Sequence, residues 1–543
     1  MKTPFALLAA CLSVSFICAP PAPNAVRDGE LDAAQAAFDV LHYGLELEVE
    51  PETRSIRGAL TVRARMLERV DQLVLDLDAA LKVSGVRSGE VRLSHTQKDN
   101  RIFIELGPLG DAEEIEVTVA YAGRPRVAPR PPWDGGFTWA ETPSGEPWIA
   151  TSCQGEGADV WWPCKDHPSD EPDSMDLRIT VPKGLVVATN GKRMEVQTKG
   201  NKTISRWHVS TPVNNYGIAL NIAPYVELTT DYRSVAGVMI PVTFWVLPEH
   251  EEEGEAILPE FLEHLRFFEE LLGPYPFRAD KYGIAETPHL GMEHQTIIAY
   301  GNKFREDERW GFDWLHHHEL AHEWWGNLAT VPDWRDFWIH EGFATYAQAL
   351  YAEKLHGIDG YHEYMRRFRQ FNNRKPVAPR RTLSADGAYF GASAQSTDND
   401  VYYKGAWVLH TLRGLVGDDA FFEAHRRLAY PNPELERTDD GSACHFVTTE
   451  DFIALASEEH GSDLGWFFDV YLRQPALPRL LVEERRGGVD LAWRTPSDLP
   501  FPMPVEVNVN GTLRKVDVGT DPVFVASATA GDVDPRTWVL RAE

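Results

Sequence analysis

Cysteine is scarce in this chain, with five among 543 residues. Two of them, Cys11 and Cys18, fall in an apolar leader, and only Cys153, Cys164 and Cys444 remain, an odd number without metal-ligand spacing. This excludes a disulfide framework and predicts buried thiols; whether Cys153 and Cys164 approach closely enough to pair stays open at the level of sequence. Clustered basic residues are lacking as well. With a net charge of −29, no face is available to neutralise phosphates, and nucleic acid is excluded as a partner. Internal repeats are absent too. The apolar leader, residues 5–19, is interrupted by Ser13 and Ser15 and ended by Pro20, Pro21 and Pro23, too short for a membrane span of about 20 residues. Preceded by Lys2, it reads as an export signal over residues 1–25. Leu8-Ala9-Ala10-Cys11 resembles a bacterial lipobox, so lipidation at Cys11 or Cys18 and plain cleavage between residues 19 and 25 are the alternatives. Each predicts export from a bacterial cell to the periplasm, a lipid anchor or the medium, with membrane contact only through such an anchor.

What is present is enough chain for several domains of about 100–200 residues each. From 39 to 246 the pattern is β: Tyr43, Leu45, Leu47 and Val49, then Ile56, Gly58, Leu60, Val62 and Ala64, alternate with more polar neighbours. Further short runs include 73–77, 102–106, 115–121, 177–181, 216–222 and 238–246. At His250 a charged stretch leads into Ile257, Phe261, Leu265, Phe268 and Leu272, an amphipathic helix stopped by Gly273-Pro274. Helical patterns continue to about 474, interrupted by an aperiodic stretch, 373–400, of the kind that often carries function. Beyond 478 the alternation returns, with Asn510-Gly511 a hairpin signal between Val505, Val507, Val509 and Leu513, Val516. The expected architecture is multidomain α+β: an N-terminal β-sheet domain (36–247), a mostly helical catalytic domain (248–476) and a small C-terminal β domain (477–543).

The chemistry concentrates in His318-Glu319-Leu320-Ala321-His322 and in Glu341, with eighteen residues between His322 and Glu341. Residues four apart share one helix face, so His318 and His322 offer two imidazoles to one ion, with Glu319 facing the same space. The apolar window 312–327, without proline, predicts a buried helix for the motif; 338–350 predicts a second helix with Glu341 in its first turn. Two His and one Glu leave a fourth position open, the arrangement of catalytic zinc, so one Zn2+ per chain is expected, with Glu319 as general base. His316 and His317 lack the spacing to His322 and read as structural. Asp333, Asp336 and Glu323 are candidates for holding the ligand imidazoles.

Three more segments accompany the motif: Thr151-Ser152-Cys153-Gln154 with Trp162-Pro163-Cys164-Lys165-Asp166; Gly291-Met292-Glu293-His294; and Val401-Tyr402-Tyr403-Lys404-Gly405-Ala406. Together with Trp338-Ile339-His340-Glu341-Gly342-Phe343-Ala344, their order and spacing resemble the aminopeptidase N family of gluzincin zinc metallopeptidases, which includes the leukotriene epoxide hydrolase/aminopeptidase. The resemblance implies a thermolysin-like catalytic domain and release of N-terminal residues from peptides with a free N-terminus. It also implies that Glu293 and Gln154 bind the α-amine, that Gly291 and Met292 line the substrate, and that Tyr402 donates to the oxyanion. Such a chain is expected to act as a monomer. Leu290, His294 and His340 depart from the family pattern, which has Gly, Asn and often Asn there.

Overall fold

Alternation over the first strands builds the largest sheet. Phe38–Glu50 and Ser55–Met66 pair antiparallel with Leu45 opposite Leu60, and Tyr43, Leu45, Leu47, Leu60 and Val62 all point into one core. The computed structural model describes residues 29–389 and 399–542; the expected signal, 1–25 with Cys11 and Cys18, lies outside them. Eight strands form the sheet, ending on one side at the hairpin Lys192–Lys199 and Lys202–Val209. A four-stranded sheet packs with it, and its central strand Pro147–Ser152 leads directly to Gln154. The run 216–222 is not one strand. Asn214 caps a turn at Asn215–Gly217, and pairing resumes at Leu220–Ala223, which leaves Tyr216 facing the neighbouring domain.

A five-stranded sheet begins the catalytic half: β1 (Val226–Arg233), β2 (Met239–Val246), β3 (Tyr282–Glu286), β4 (Gly291–Met292) and β5 (Ile298–Tyr300), in the order β1-β2-β3-β5-β4. By pairing, 226–246 therefore goes with the catalytic sheet rather than with the strands before it. The boundary expected at 247 misplaces these residues, because alternation marks a strand without saying which sheet it joins. Helix α1 (Glu251–Leu272) follows β2 and ends at Gly273, whose φ of +106° suits glycine alone.

The metal-motif helix α2 (Trp314–Ala321) is shorter than the window 312–327. Asp313 caps it by accepting from the amides of Leu315 and His316. Beyond His322 the chain tightens and turns through Gly326 at φ +141°. Trp324 and Trp325 are buried although no longer helical, so apolar content alone did not define the helix end. Helix α3 (Trp338–Arg367) runs well past 350 and breaks at Gly357, with φ 72° and ψ −174°. Within 373–400, only Ala385–Tyr389 is helical among the described residues, before α4 (Tyr403–Val416) begins.

The C-terminal strands Arg479–Arg485, Gly488–Arg494 and Val523–Ala526 make one small sheet, and Val505–Val509 pairs with Thr512–Val516 across Asn510 and Gly511, both at positive φ. Leu480, Leu491, Trp493 and Val505 belong to the same apolar core as α1 to α4. Cys153 and Cys164 are buried and not joined in a disulfide. No helix among the described residues is long and apolar enough to cross a membrane.

Helices α3 and α4 cross where two glycines meet: a side chain on Gly405 would lie 3.0 Å from Gly342 Cα. Gly342 follows Glu341 and Gly405 lies three residues after Tyr402, so this contact sets the spacing between the elements carrying both. Gly405→Val is expected to lower stability by about 1–3 kcal/mol through overpacking and to weaken zinc retention. Thermal unfolding with and without added zinc, together with metal content after gel filtration, checks both.

Candidate active site

Helix α2 places His318 and His322 on one face, and the first turn of α3 brings Glu341 against them. The two Nε2 atoms are 3.3 Å apart, and Glu341 Oε2 lies 3.2 Å from His318 Nε2 and 3.6 Å from His322 Nε2. A tetrahedral ion with bonds of about 2.0–2.1 Å requires ligand atoms about 3.3–3.4 Å apart. The three donors thus form a face of the right size for zinc, and three protein ligands leave a coordination position for water or substrate.

The outer ring nitrogens support this reading. His322 Nδ1 lies 3.0 Å from the carbonyl oxygen of Trp325, to which only a protonated Nδ1 can donate, so Nε2 presents its lone pair inward. The amide of Gln348 lies 3.0 Å from His318 Nδ1, and its other end meets the Tyr364 hydroxyl at 3.0 Å. The amide nitrogen faces Nδ1 and the amide oxygen faces Tyr364; with Nε2 committed to the ion, Nδ1 carries the proton, which requires the amide turned over so that its oxygen accepts from Nδ1 and its nitrogen donates to the Tyr364 hydroxyl. Burial lowers the His318 pKa to about 4, leaving the ring neutral at pH 7.

None of the three expected partners of the imidazoles is in that role. Asp333 accepts from the amides of Arg335 and Leu383, and Asp336 accepts from Thr449. Glu323 accepts from the Thr296 amide and from Asn327; one residue past His322, it is rotated about 100° from the ligand face. Gln348, Tyr364 and the Trp325 carbonyl hold the rings instead. His316 contacts His264 and stacks on Phe261 at 3.7 Å, while His317 sits among Phe268, Phe312 and Tyr351. His340 Nε2 accepts from the Val331 amide at 3.2 Å, which makes it a packing residue beside the site.

Glu293 follows β4, and its carboxylate turns toward the triad: oxygens of Glu293 and Glu319 and a nitrogen of His322 lie within 4.8 Å of one another. Gln154 Nε2 and the Tyr216 hydroxyl both donate to Glu293 Oε1, the latter at 3.0 Å, so the N-terminal domain holds this carboxylate in place. Asn327 Nδ2 donates to the Glu293 backbone carbonyl at 3.0 Å. Neither Tyr216 nor Asn327 has a sequence signature; their proximity arises only from the fold. Gly291 packs so tightly on Glu319 and Leu315 that a Cβ would collide with both, and Met292 is buried beside it. His294 is fully buried without a hydrogen-bond partner among the described residues, and burial with His289 nearby lowers its pKa to about 3. It is a neutral packing group outside the cleft, whereas Leu290 is part of the cleft wall.

Tyr402, just ahead of α4, lies over His318 with ring centroids 6.2 Å apart, and its hydroxyl reaches Glu341. The adjacent Tyr403 turns to stack on Phe368 at 5.3 Å. All these groups line one cavity of about 510 Å³. Burial, with Glu293 and Glu341 nearby, raises the Glu319 pKa well above the usual carboxylic range; burial and Glu293 also push Glu341 up to about 8. Three carboxyl groups crowded out of water favour a cation between them.

Two models of one family match the chain, the peptidase M1 N-terminal domain over residues 40–216 and the peptidase family M1 domain over residues 265–471. A leucine aminopeptidase 2 of Emericella nidulans is 30% identical over 350 residues, covering 62% of this chain and 54% of that protein. Leukotriene A-4 hydrolase of Xenopus laevis is 24% identical over 362 residues, with the same shares covered. The chain spans about half the length of these curated relatives. The solved structure of a mutant M1 zinc metallopeptidase of Deinococcus radiodurans, bound to Tyr-Ser-Ala substrate, superposes with a TM-score of 0.64 at 25% identity, covering 81% of this chain and 95% of that one. The first matched segment supplies Gln154 and Tyr216, which hold Glu293, the second supplies the metal triad, Glu293 and Tyr402, and the chain belongs to peptidase family M1.

Proposed function

We propose that this protein is a zinc-dependent aminopeptidase that releases N-terminal residues from peptides. The observation that carries the reading is Glu293, pinned by Gln154 and Tyr216 within 4.8 Å of His322 and Glu319. In one residue the α-nitrogen and the carbonyl carbon are two bonds, or about 2.5 Å, apart. A carboxylate at this distance pairs with the ammonium of a peptide only when the first amide lies at the metal. Glu293 is thereby a ruler one residue long.

Zinc, when bound, polarises the scissile carbonyl and lowers the pKa of a water molecule. Glu319 is placed to take the proton of that water and pass it to the departing amine. Tyr402 is placed to donate its phenolic hydrogen to the negative charge that develops on the carbonyl oxygen. β4 is an edge strand of its sheet, so its backbone can pair with an extended peptide whose amine lies at Glu293. The names of the M1 relatives, and the tripeptide bound by the Deinococcus protein, agree with peptide substrates. We also propose export from the cell and a monomeric enzyme; cell fractionation with N-terminal sequencing of the mature chain, and its sedimentation, test these.

A panel of aminoacyl anilides and matched N-blocked peptides tests the main reading. Hydrolysis is expected to stop with a chelator and return with zinc; cleavage of blocked peptides as fast as free ones identifies an endopeptidase instead. Glu293→Ala is expected to raise KM mainly for substrates with a free amine. Tyr402→Phe is expected to lower kcat on the order of 100-fold, as for a lost oxyanion donor. Gln348→Leu, which removes the acceptor behind His318, is expected to weaken zinc binding about 10- to 100-fold, measured by competition with a chelator of known affinity; Gln348→Glu restores most of it.

A further inference from the structure

The geometry points to Arg367 as the group that binds the C-terminal carboxylate of short peptide substrates, an assignment that rests on the aminopeptidase reading. Helix α2 orders the cleft along its axis. At its C-terminal side, Asn327 holds the Glu293 backbone, marking the amine end; Gly291 lies beside Glu319 and Leu315, further toward the start of the helix. A peptide whose amine sits at Glu293 and which pairs antiparallel with β4 therefore runs past the metal ligands toward Leu290 and Trp314. Arg367 lies at that far end. Its Nη1 donates to Asp307, in the loop entering α2, at 2.8 Å, and its guanidinium covers the Tyr364 ring at 4.8 Å. Tyr364 in turn contacts Gln348 behind His318, so Arg367 connects to the triad through His318, whereas Glu293 groups with Glu319 and His322.

Charge gives the position its meaning. The cleft holds Glu293, Glu319 and Glu341 in a protein of net charge −29, an unfavourable field for a substrate with a carboxylate tail. Arg367 is the one lysine or arginine among the described lining residues of the roughly 510 Å³ cavity. Asp307 and Tyr364 fix the plane of its guanidinium but use one of its five donors in a hydrogen bond, and the side chain remains 43% exposed, leaving a fork that suits a carboxylate. At about 3.3–3.6 Å per extended residue, the terminal carboxylate of a tripeptide lies about 7 Å beyond the scissile carbonyl and that of a tetrapeptide about 10 Å. Arg367 lines the same cavity of about 510 Å³ as the metal ligands, so short peptides whose carboxylate stays within that cavity are the inferred substrates.

The test compares Leu-Gly-Gly and Leu-Gly-Gly-Gly with their C-terminal amides, in the zinc-loaded enzyme and in Arg367→Gln and Arg367→Lys. The expected result is a kcat/KM about tenfold higher for the free acids, the scale of a charged hydrogen bond, carried by KM. Arg367→Gln brings the acid-to-amide ratio close to one, and Arg367→Lys keeps part of it; because the ratio is internal to each variant, a loss of folded protein does not mimic the result. Hydrolysis without preference for the acid, or a preference unchanged in Arg367→Gln, overturns the assignment while leaving the aminopeptidase reading intact. No hydrolysis of any free-amine substrate with zinc bound overturns both.

Discussion

Carboxyl groups that leave water together must be protonated, paired or joined by a cation, and in this protein three of them converge on two imidazoles. Glu293, Glu319 and Glu341 are each at least nine-tenths buried, as are His318 and His322. The described lining of the cleft offers them only Arg367, which is engaged by Asp307 at its far end. A divalent ion resolves this conflict directly: it neutralises Glu341, gives the imidazole lone pairs a partner and eases the repulsion among the remaining carboxyl groups. The donor distances of 3.2–3.6 Å fit such an ion. The same three carboxyl groups without it repel one another, so metal and local fold depend on each other.

The fold supports that concentration of charge with elements whose other faces are already committed. α2 and α3 contribute to the large apolar core through Leu320, Ala321, Ile339 and Phe343, so the backbones carrying the ligands are held by packing as well as by the ion. Gly342 against Gly405 brings α4, and with it Tyr402, as close as two backbones allow. The N-terminal domain has a separate core, yet its Gln154 and Tyr216 donate to Glu293. The Glu293 carboxylate is thus held across a domain interface, and its position rests on how firmly the two cores are held together.

The sequence made the metal triad legible because helical spacing converts directly into geometry: His318, His322 and Glu341 were all identifiable, and Gln154, Glu293 and Tyr402 followed from a family pattern. What escaped has a physical explanation. Gln348, Tyr364 and the Trp325 carbonyl reach the imidazoles through tertiary contacts between common residue types, whereas the acidic residues nearest in sequence, Glu323, Asp333 and Asp336, bond elsewhere. Trp324 and Trp325 extended an apolar pattern beyond the helix, since a buried turn and a buried helix look alike in composition. The strand Lys192–Lys199 has almost no buried side chain because it is a sheet edge, so it carries no alternation to read. Residues 226–246 read plainly as strands but not as members of the catalytic sheet.

The unusual residues around Glu293 fit a division of labour within one short segment. Position 291 admits no side chain, because Glu319 and Leu315 occupy that space, and the Glu293 carboxylate is held by Gln154 and Tyr216. Leu290 and His294 flank these fixed positions under different constraints. Leu290 contributes apolar surface to the cleft wall. His294 points away into a region where burial keeps it neutral, and the Glu293 backbone is held by Asn327 instead. The departures from the family pattern thus fall beside the fixed positions, while Gln154 and Tyr216 keep the Glu293 carboxylate next to Glu319 and His322.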